Sequence, residues 1–406
     1  MATLPPVVPR GGRVGVEGGA VRPQRNRRSD FAIWWREIDR TLLFLILTLM
    51  AIGTAAVAAS SPASARRLST ASVRLDDLHF FTMHIRYQFI GLVAMFGASM
   101  LPKDMARRAG ILLCFAMLVA LLLVPVMGFS VNGAKRWLNL GMSLQPSEFL
   151  KPAFAIGMAW ILSWRVRDPN LPVIEIVTGL MGMIAVLLMA QPDFGSAILF
   201  IGVWFVMVLM SGISLKRIGL AGGAGLAFVV LAYMFYDNAR HRIDSFLGGG
   251  TAFDQVDLAQ RTLLAGGWTG SGLWLGTRKL GLPEAHTDYI FSVIGEEFGL
   301  LACLVIVVLY LALVARVLIR LLEEEDLFTT LAAAGLIAQL GGQAFINILV
   351  NLQLFPSKGM TLPLISYGGS STIALCLGAG FLLSITRRNP FIRREKFSLS
   401  SMGIKL

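Results

Sequence analysis

Charge is what this 406-residue chain has least of. Only 15% of its residues are Asp, Glu, Lys or Arg, while 55% are hydrophobic. Soluble domains carry about a quarter charged residues, so this balance excludes one and fits a chain that crosses a bilayer many times. Cysteine is scarce as well. Cys114, Cys303 and Cys376 all lie in apolar runs, and read as small buried hydrophobes rather than disulfides or metal ligands. The chain has no HExxH, no P-loop and no nucleophile elbow, which disfavours metalloproteases, NTPases and α/β-hydrolases. No cleavable signal peptide is expected, because the first 40 residues are Arg-rich and hold no apolar core of the right length. No internal repeat is visible, which weighs against a carrier built from inverted repeats.

What is present is a series of ten apolar segments, near 41–59, 87–101, 109–129, 148–164, 173–190, 196–210, 218–235, 289–315, 328–352 and 366–386. The expected fold is an all-α polytopic membrane protein of about ten transmembrane helices. The second and sixth segments are short for a ~30 Å hydrocarbon core and are expected to extend into their flanks. Charge sets the orientation. The N-terminal tail holds eight Arg by Arg40 and the stretch after Thr386 holds six Lys and Arg. The short loops on that side (102–108, 165–172, 211–217, 316–327) hold nine in 34 residues, against seven in 63 on the other (60–86, 130–147, 191–195, 353–365). Both termini are therefore expected in the cytoplasm, and the 236–288 loop, between helices 7 and 8, outside. The net charge of +12 reflects this asymmetry and not nucleic-acid binding, since no stacking or groove-reading motif accompanies the Arg residues. The expected organisation is a disordered basic tail at 1–35, a membrane domain at 36–390 and a cytoplasmic tail at 391–406. The N-terminal Arg residues are suited to anionic membrane lipids, at about 1 kcal/mol each.

Polar residues in such a chain need a reason. The stretch RWLNLGMSLQPSEFLK offers Ser147 as an N-cap and Glu148 in a first helical turn, with Lys151 three residues on to pair with it. That is either an interfacial ion pair or a cluster in which Arg136, Lys135 and Lys151 meet an anionic substrate. In QPDFGS, Asp193 and Ser196 can cap a helix after a Pro192–Gly195 turn. The long outer loop interleaves Trp268, Trp274 and other apolar residues with Gly266, Gly267, Gly270, Gly272 and Gly276, which allow close approach to a ligand. Arg240, Arg242, Arg278 and Lys279 add cations suited to a diphosphate. LPEAHTDYIFSVIGEEFG places Asp288 at the edge of hydrocarbon, with Thr287 as a possible cap. Glu296 and Glu297 lie deeper, which reads as a polar cavity entering from outside and raising a carboxylate towards general-base values. FPSKGMTLPLISYGGSS breaks the helix near Lys358, the one cation of its outer loop.

In this order and spacing these motifs resemble the SEDS (shape, elongation, division and sporulation) family over roughly residues 35–390. The KGMTLPLISYGGSS form and the long basic tail are more similar to its division branch than to its elongation branch. The resemblance implies a ten-span helical fold and a peptidoglycan glycosyltransferase in the bacterial inner membrane, working at the division septum. Its substrate would be lipid II, a disaccharide-pentapeptide on undecaprenyl diphosphate. The C1 of one N-acetylmuramic acid would be joined, with inversion, to the 4-hydroxyl of an N-acetylglucosamine, releasing the lipid diphosphate. The family's essential aspartate falls on Asp288, and Glu148 and Lys151 match its QPSE-x-x-K segment. Arg136, Arg242, His286, Lys358 and Ser366 are the further candidate substrate contacts. The implied partners are an FtsI-like class B penicillin-binding protein, which supplies the transpeptidase, and other division membrane proteins. Mg²⁺ or Mn²⁺ is a candidate cofactor without a visible ligand spacing. Two departures stand out: Phe253-Asp254-Gln255 where the family often has Tyr-Gln, and Phe246-Leu247-Gly248-Gly249 where it usually has Phe-Leu-Asp-Pro. Rival expectations are a lipid II flippase and a non-catalytic scaffold.

Overall fold

The computed structural model describes residues 27–70, 73–131, 134–139, 141, 143–212, 215–248, 255–357 and 359–388. Lys358, Phe253, Asp254, Gly249 and most of both expected tails lie outside the described residues. The described chain runs α1 (Arg27–Glu37), α2 (Arg40–Leu68), α3 (His79–Met100), α4 (Lys103–Met127), three short strands, α5 (Pro146–Ser163), α6 (Val173–Ala190), α7 (Phe194–Met210), α8 (Leu215–Phe235), α9 (Asp237–Leu247), α10 (Gln255–Ala265), α11 (Ile290–Leu321), α12 (Leu327–Asn351) and α13 (Ser370–Ile385). Each of the ten apolar segments falls on one long helix. Five of these, α2, α4, α6, α11 and α12, are long and apolar enough by length and composition to cross a membrane, and α7 and α13 are shorter apolar helices. Residues 27–35 of the expected tail lie in α1, and the rest of it lies outside the described residues.

The strands were not expected. β1 (Phe129–Val131), β2 (Ala134–Asn139) and β3 (Ser143–Leu144) form a small antiparallel sheet in order β1-β2-β3 that carries Arg136 to the mouth of α5. Strands of three, six and two residues give too little alternation to stand out beside long apolar runs.

Burial sorts the helices. α5 is buried on nearly every face and packs among α4, α7, α12 and α13. A helix that is apolar all round belongs in the centre. α4 instead turns Leu112, Phe115, Leu122 and Val126 outward, as a lipid-facing helix must. Asp39, Asp193 and Asp326 cap α2, α7 and α12 by accepting from Leu42, Ser196 and Thr329 amides. Two expected caps are corrected. α5 begins at Pro146, so Ser147 is already inside it; proline suits a first turn because its missing N–H would be unpaired there. α11 begins at Ile290, so Thr287 and Asp288 belong to the preceding turn.

α11 is not one straight helix. Gly299 has φ 83° and ψ 171°, which breaks it into an outer piece and a span from Leu300. The 22 residues from Leu300 to Leu321 make about 33 Å of helix, close to a hydrocarbon core. The polar groups freed at the break do not go unpaired. Leu300 and Leu301 donate to Gly267 and Trp268 carbonyls, and Ser271 and Gly272 donate to those of Glu296 and Glu297. The loop after α10 thus supplies what the interrupted helix lost.

At the opposite end the first and last described helices are clasped. Asp39 pairs with Arg316 at 2.8 Å and Arg320 at 2.7 Å, and Glu37 with Arg387 at 2.6 Å.

Candidate active site

Asp288 sits in the turn between a short 3-10 segment (Arg278–Gly281) and α11. Its backbone carbonyl accepts from Asn347 Nδ2 at 2.8 Å and Asn351 Nδ2 at 3.2 Å, both on α12. Its carboxylate has no hydrogen-bond donor among the described residues, so it is held by its backbone and left open at its head. Loss of hydration in this pocket, helped by the Glu284 charge, pushes its pKa up to about 7, against the opposing pull of Arg242 and Arg136. Glu148 adds a smaller upward push. The residues picked out from three separate motifs are therefore brought within electrostatic reach of one carboxylate.

The wall facing Asp288 is the segment from Gly359 to Gly369. Tyr367 N–H donates to the His286 carbonyl at 3.0 Å. Ser366 Oγ donates to the Thr287 carbonyl at 2.6 Å and accepts from Leu362 N–H at 2.8 Å. Its hydroxyl is thereby occupied, and Ser366 joins the two segments instead of offering a free contact to substrate. His286 is buried, with its ring 4.2 Å from that of Phe80 and 5.4 Å from that of Tyr367. Burial lowers its pKa to about 4, so it is a neutral packing group at pH 7 and not a cation for a diphosphate.

On α5, Lys151 Nζ donates to Glu148 Oε1 at 2.6 Å, and both side chains are buried. Glu148 Oε2 is buried without a partner. Arg136 is committed elsewhere: its Nε donates to the Gln191 carbonyl at 2.9 Å and its Nη2 to that of Pro192, which locks the β2 strand onto the QPD turn. Arg242, on α9, spends only Nη1, on the Ser357 carbonyl at 2.9 Å. Most of its guanidinium donors are unused among the described residues.

Glu296 and Glu297 do not line a cavity with Asp288. Glu296 accepts from the Arg278 and Lys279 amides at 2.6 and 2.9 Å. Glu297 accepts from the Trp274 and Gly276 amides and from the Lys279 ammonium. Lys279 Nζ also reaches the Ala59 carbonyl at 3.0 Å, on α2. Two carboxylates in an apolar run have the right chemistry to hold a loop by its backbone N–H groups, and the sequence does not distinguish that from a cavity. The loop glycines follow suit. Gly266, Gly270 and Gly276 lie hard against Gly295, Glu296 and Glu297, where a Cβ would collide, so their close approach is to α11 and not to a ligand. The described residues contain no group of three His, Cys, Asp or Glu side chains placed to hold a metal.

Asn347 and Asn351 were missed. The signal was present in the sequence: amides at 343, 347 and 351 repeat every four residues along an apolar segment, which puts them on one helical face.

A family model of cell cycle proteins, covering FtsW, RodA and SpoVE, matches residues 40–390. A probable peptidoglycan glycosyltransferase FtsW from Caulobacter vibrioides is 36% identical over 369 residues, covering 90% of this chain and 93% of the relative. One of the same description from Xanthomonas oryzae is 32% identical, covering 96% and 81%. Among solved structures, a peptidoglycan synthase complex, described as coordinating polymerization and crosslinking, aligns with TM-score 0.69 at 29% identity, over 86% of this chain and 97% of that one. The rod shape determining protein RodA of Thermus thermophilus aligns with TM-score 0.61 at 26% identity, over 87% and 97%. The overall helical fold is thus a shared one, and the chain is a multi-pass membrane protein belonging to the FtsW/RodA/SpoVE family of cell cycle proteins.

Proposed function

We propose that this chain is a peptidoglycan glycosyltransferase that polymerises lipid II, with Asp288 as its general base. The observation that carries this reading is a carboxylate fixed through its backbone, without a hydrogen-bond donor at its head among the described residues, and raised to about 7. Such a group is half ionised at neutral pH and takes up a proton readily. It accepts the proton of the acceptor 4-hydroxyl as that oxygen forms its bond to C1 of the donor sugar. The C1–O bond to the diphosphate breaks on the opposite face, inverting the carbon, and the electron pair leaves with the diphosphate. Negative charge grows on that leaving group and calls for a cation. Arg242, with most of its donors unspent among the described residues, is the best placed; Lys151 is neutralised by Glu148, and Arg136 is tied to the QPD turn.

The reading includes ten spans with both termini in the cytoplasm, which puts Asp288 on the outer face. Localisation at the division septum and work with a class B penicillin-binding protein follow from the likeness to the division branch, and lipid II is the substrate that branch implies. The described residues around Asp288 do not build a resident metal site, so Mg²⁺ or Mn²⁺ would enter with the diphosphate.

The deciding experiment is polymerisation of lipid II by purified protein, with and without the transpeptidase partner, comparing the parent with Asp288→Asn. Loss of polymer in the variant is expected. Equal glycan synthesis by both overturns the assignment. Lipid II translocation across liposomes with no polymer in any condition replaces it with a flippase, and unimpaired division by an Asp288→Asn strain leaves a scaffold.

A further inference from the structure

Asn347 joins two segments that are far apart in the chain. Its single NH₂ group donates to two carbonyls at once, Asp288 at 2.8 Å and Met360 at 2.7 Å. These belong to segments on either side of α12 in the chain. One carries the candidate base, and the other places Gly359 against that base. The two walls of the site are thus tied by one planar amide, buried to 3% exposure.

The neighbours on the same face extend the arrangement. One turn outward, Asn351 donates to the Asp288 carbonyl at 3.2 Å and to the Asn347 carbonyl at 2.9 Å. Its Oδ1 accepts from Ser292 Oγ at 2.7 Å and from Ser292 N–H at 3.3 Å, and the N–H, which can only donate, fixes which way the amide faces. One turn inward, Gln343 donates to the Thr361 carbonyl at 2.9 Å. Three amides at four-residue spacing hold three loop carbonyls. A leucine would fill the same volume at less cost inside a bilayer. What a leucine lacks is the ability to fix the separation of two loops.

We propose that Asn347 is a positioning residue for the reaction. It sets the distance between the Asp288 carboxylate and the wall against which the acceptor sugar is placed. It touches no substrate, and acts through the backbone of Asp288. A displacement of the reacting groups by about 1 Å costs a rate factor of about 10², so this one amide controls turnover without contributing to substrate affinity. The inference rests on Asp288 being the base of lipid II polymerisation.

The test is lipid II polymerisation by full-length Asn347→Leu, with kcat, KM and the pH-rate profile measured beside thermal stability. Gln88→Leu is the control. It removes another buried amide, the one that donates to the Met50 carbonyl at 2.9 Å between α3 and α2. A merely structural role predicts that both variants lose stability and retain kcat per folded molecule. Positioning predicts that Asn347→Leu alone loses kcat by about 10²-fold, with KM within threefold and its acidic limb displaced. If Asn347→Leu does not accumulate, Asn347→Gln keeps the donor but moves it by one methylene, and carries the same expectation. Parent-like kcat in the Asn347 variant overturns the proposal. Asp288→Asn, run alongside, separates the two readings. If it is inactive while Asn347→Leu is fully active, only the positioning fails; if it is active, the base assignment fails first. The double variant is expected to be no slower than Asp288→Asn alone, because both act on one step.

Discussion

Gly359 lies against the carboxylate of Asp288: a Cβ built on Gly359 would stand 3.4 Å from Asp288 Oδ2. Any side chain there therefore covers the head of the candidate base. Gly359 is exposed and its backbone is not left-handed, so a larger residue costs little stability. Gly359→Leu is expected to cut lipid II polymerisation by at least about 10-fold, while the melting temperature stays unchanged. Assay and thermal melt on the same preparation check it. Gly359→Ala, whose methyl group only touches the carboxylate, is expected to fall between.

The raised pKa of Asp288 has two consequences with definite signs. As a base it works ionised, so the rate is expected to fall as pH drops through about 7. Glu284→Gln removes the neighbouring charge that helps to raise it, and is expected to move that acidic limb to lower pH. A limb that stays in place after this change removes Glu284 from the account. Folding raises this pKa, so the folded protein binds the proton more tightly than the unfolded chain. Its contribution to stability is full below the ordinary carboxylate range and is lost as pH rises through about 7. Asp288→Asn is expected to melt higher than the parent at pH 8 and equally at pH 4, while losing activity by about 10²- to 10⁴-fold.

Among the described residues Lys279 is the sole side-chain cation on Glu297, and both are buried, at 3% and 1% exposure. Lys279→Met leaves that carboxylate uncompensated, at a cost of about 3–5 kcal/mol. Chemical or thermal unfolding of the purified protein measures it. The double variant Lys279→Met with Glu297→Gln is expected to recover part of the loss, because no unpaired charge remains.

A divalent cation, if it serves the reaction, arrives on the diphosphate. Chelation is expected to lower polymerisation and Mg²⁺ or Mn²⁺ to restore it. Calorimetry of the protein without lipid II is expected to show no tight Mg²⁺ binding. Tight binding by the lipid-free protein would require ligands that the described residues do not assemble.

Much of this was legible in the sequence. Apolar runs mark helices because backbone polar groups must be satisfied inside a bilayer, and each of the ten runs did form a helix. Asp288, Glu148 and Lys151 stood out because charge is scarce. What was hidden depended on partners distant in the chain. Glu296 and Glu297 read as a cavity because their partners are backbone N–H groups, which sequence does not name. Ser366 and His286 share motifs with Asp288, yet one is spent on a carbonyl and the other on aromatic packing. The caps at Ser147 and Thr287 failed by a residue or more because Pro146 and the turn at Glu284 fix where each helix starts. Asn347 and Asn351 were passed over because neutral amides draw less notice than charges, although an unpaired amide in hydrocarbon is also costly.

The clamp on Asp288 has a consequence for biosynthesis. The side chains that hold the Asp288 carbonyl, Asn347 and Asn351, and the facing segment with Met360, Ser366 and Tyr367 are all translated after it. The turn around Asp288 is also tethered back to the second helix made, where Lys279 and Trp274 meet Ala59 and Ala58. A nascent chain stalled before α12 therefore holds a carboxylate without a site. Catalytic competence is a property of the finished bundle, gained once the segment from Met360 to Tyr367 has closed over the Asp288 turn.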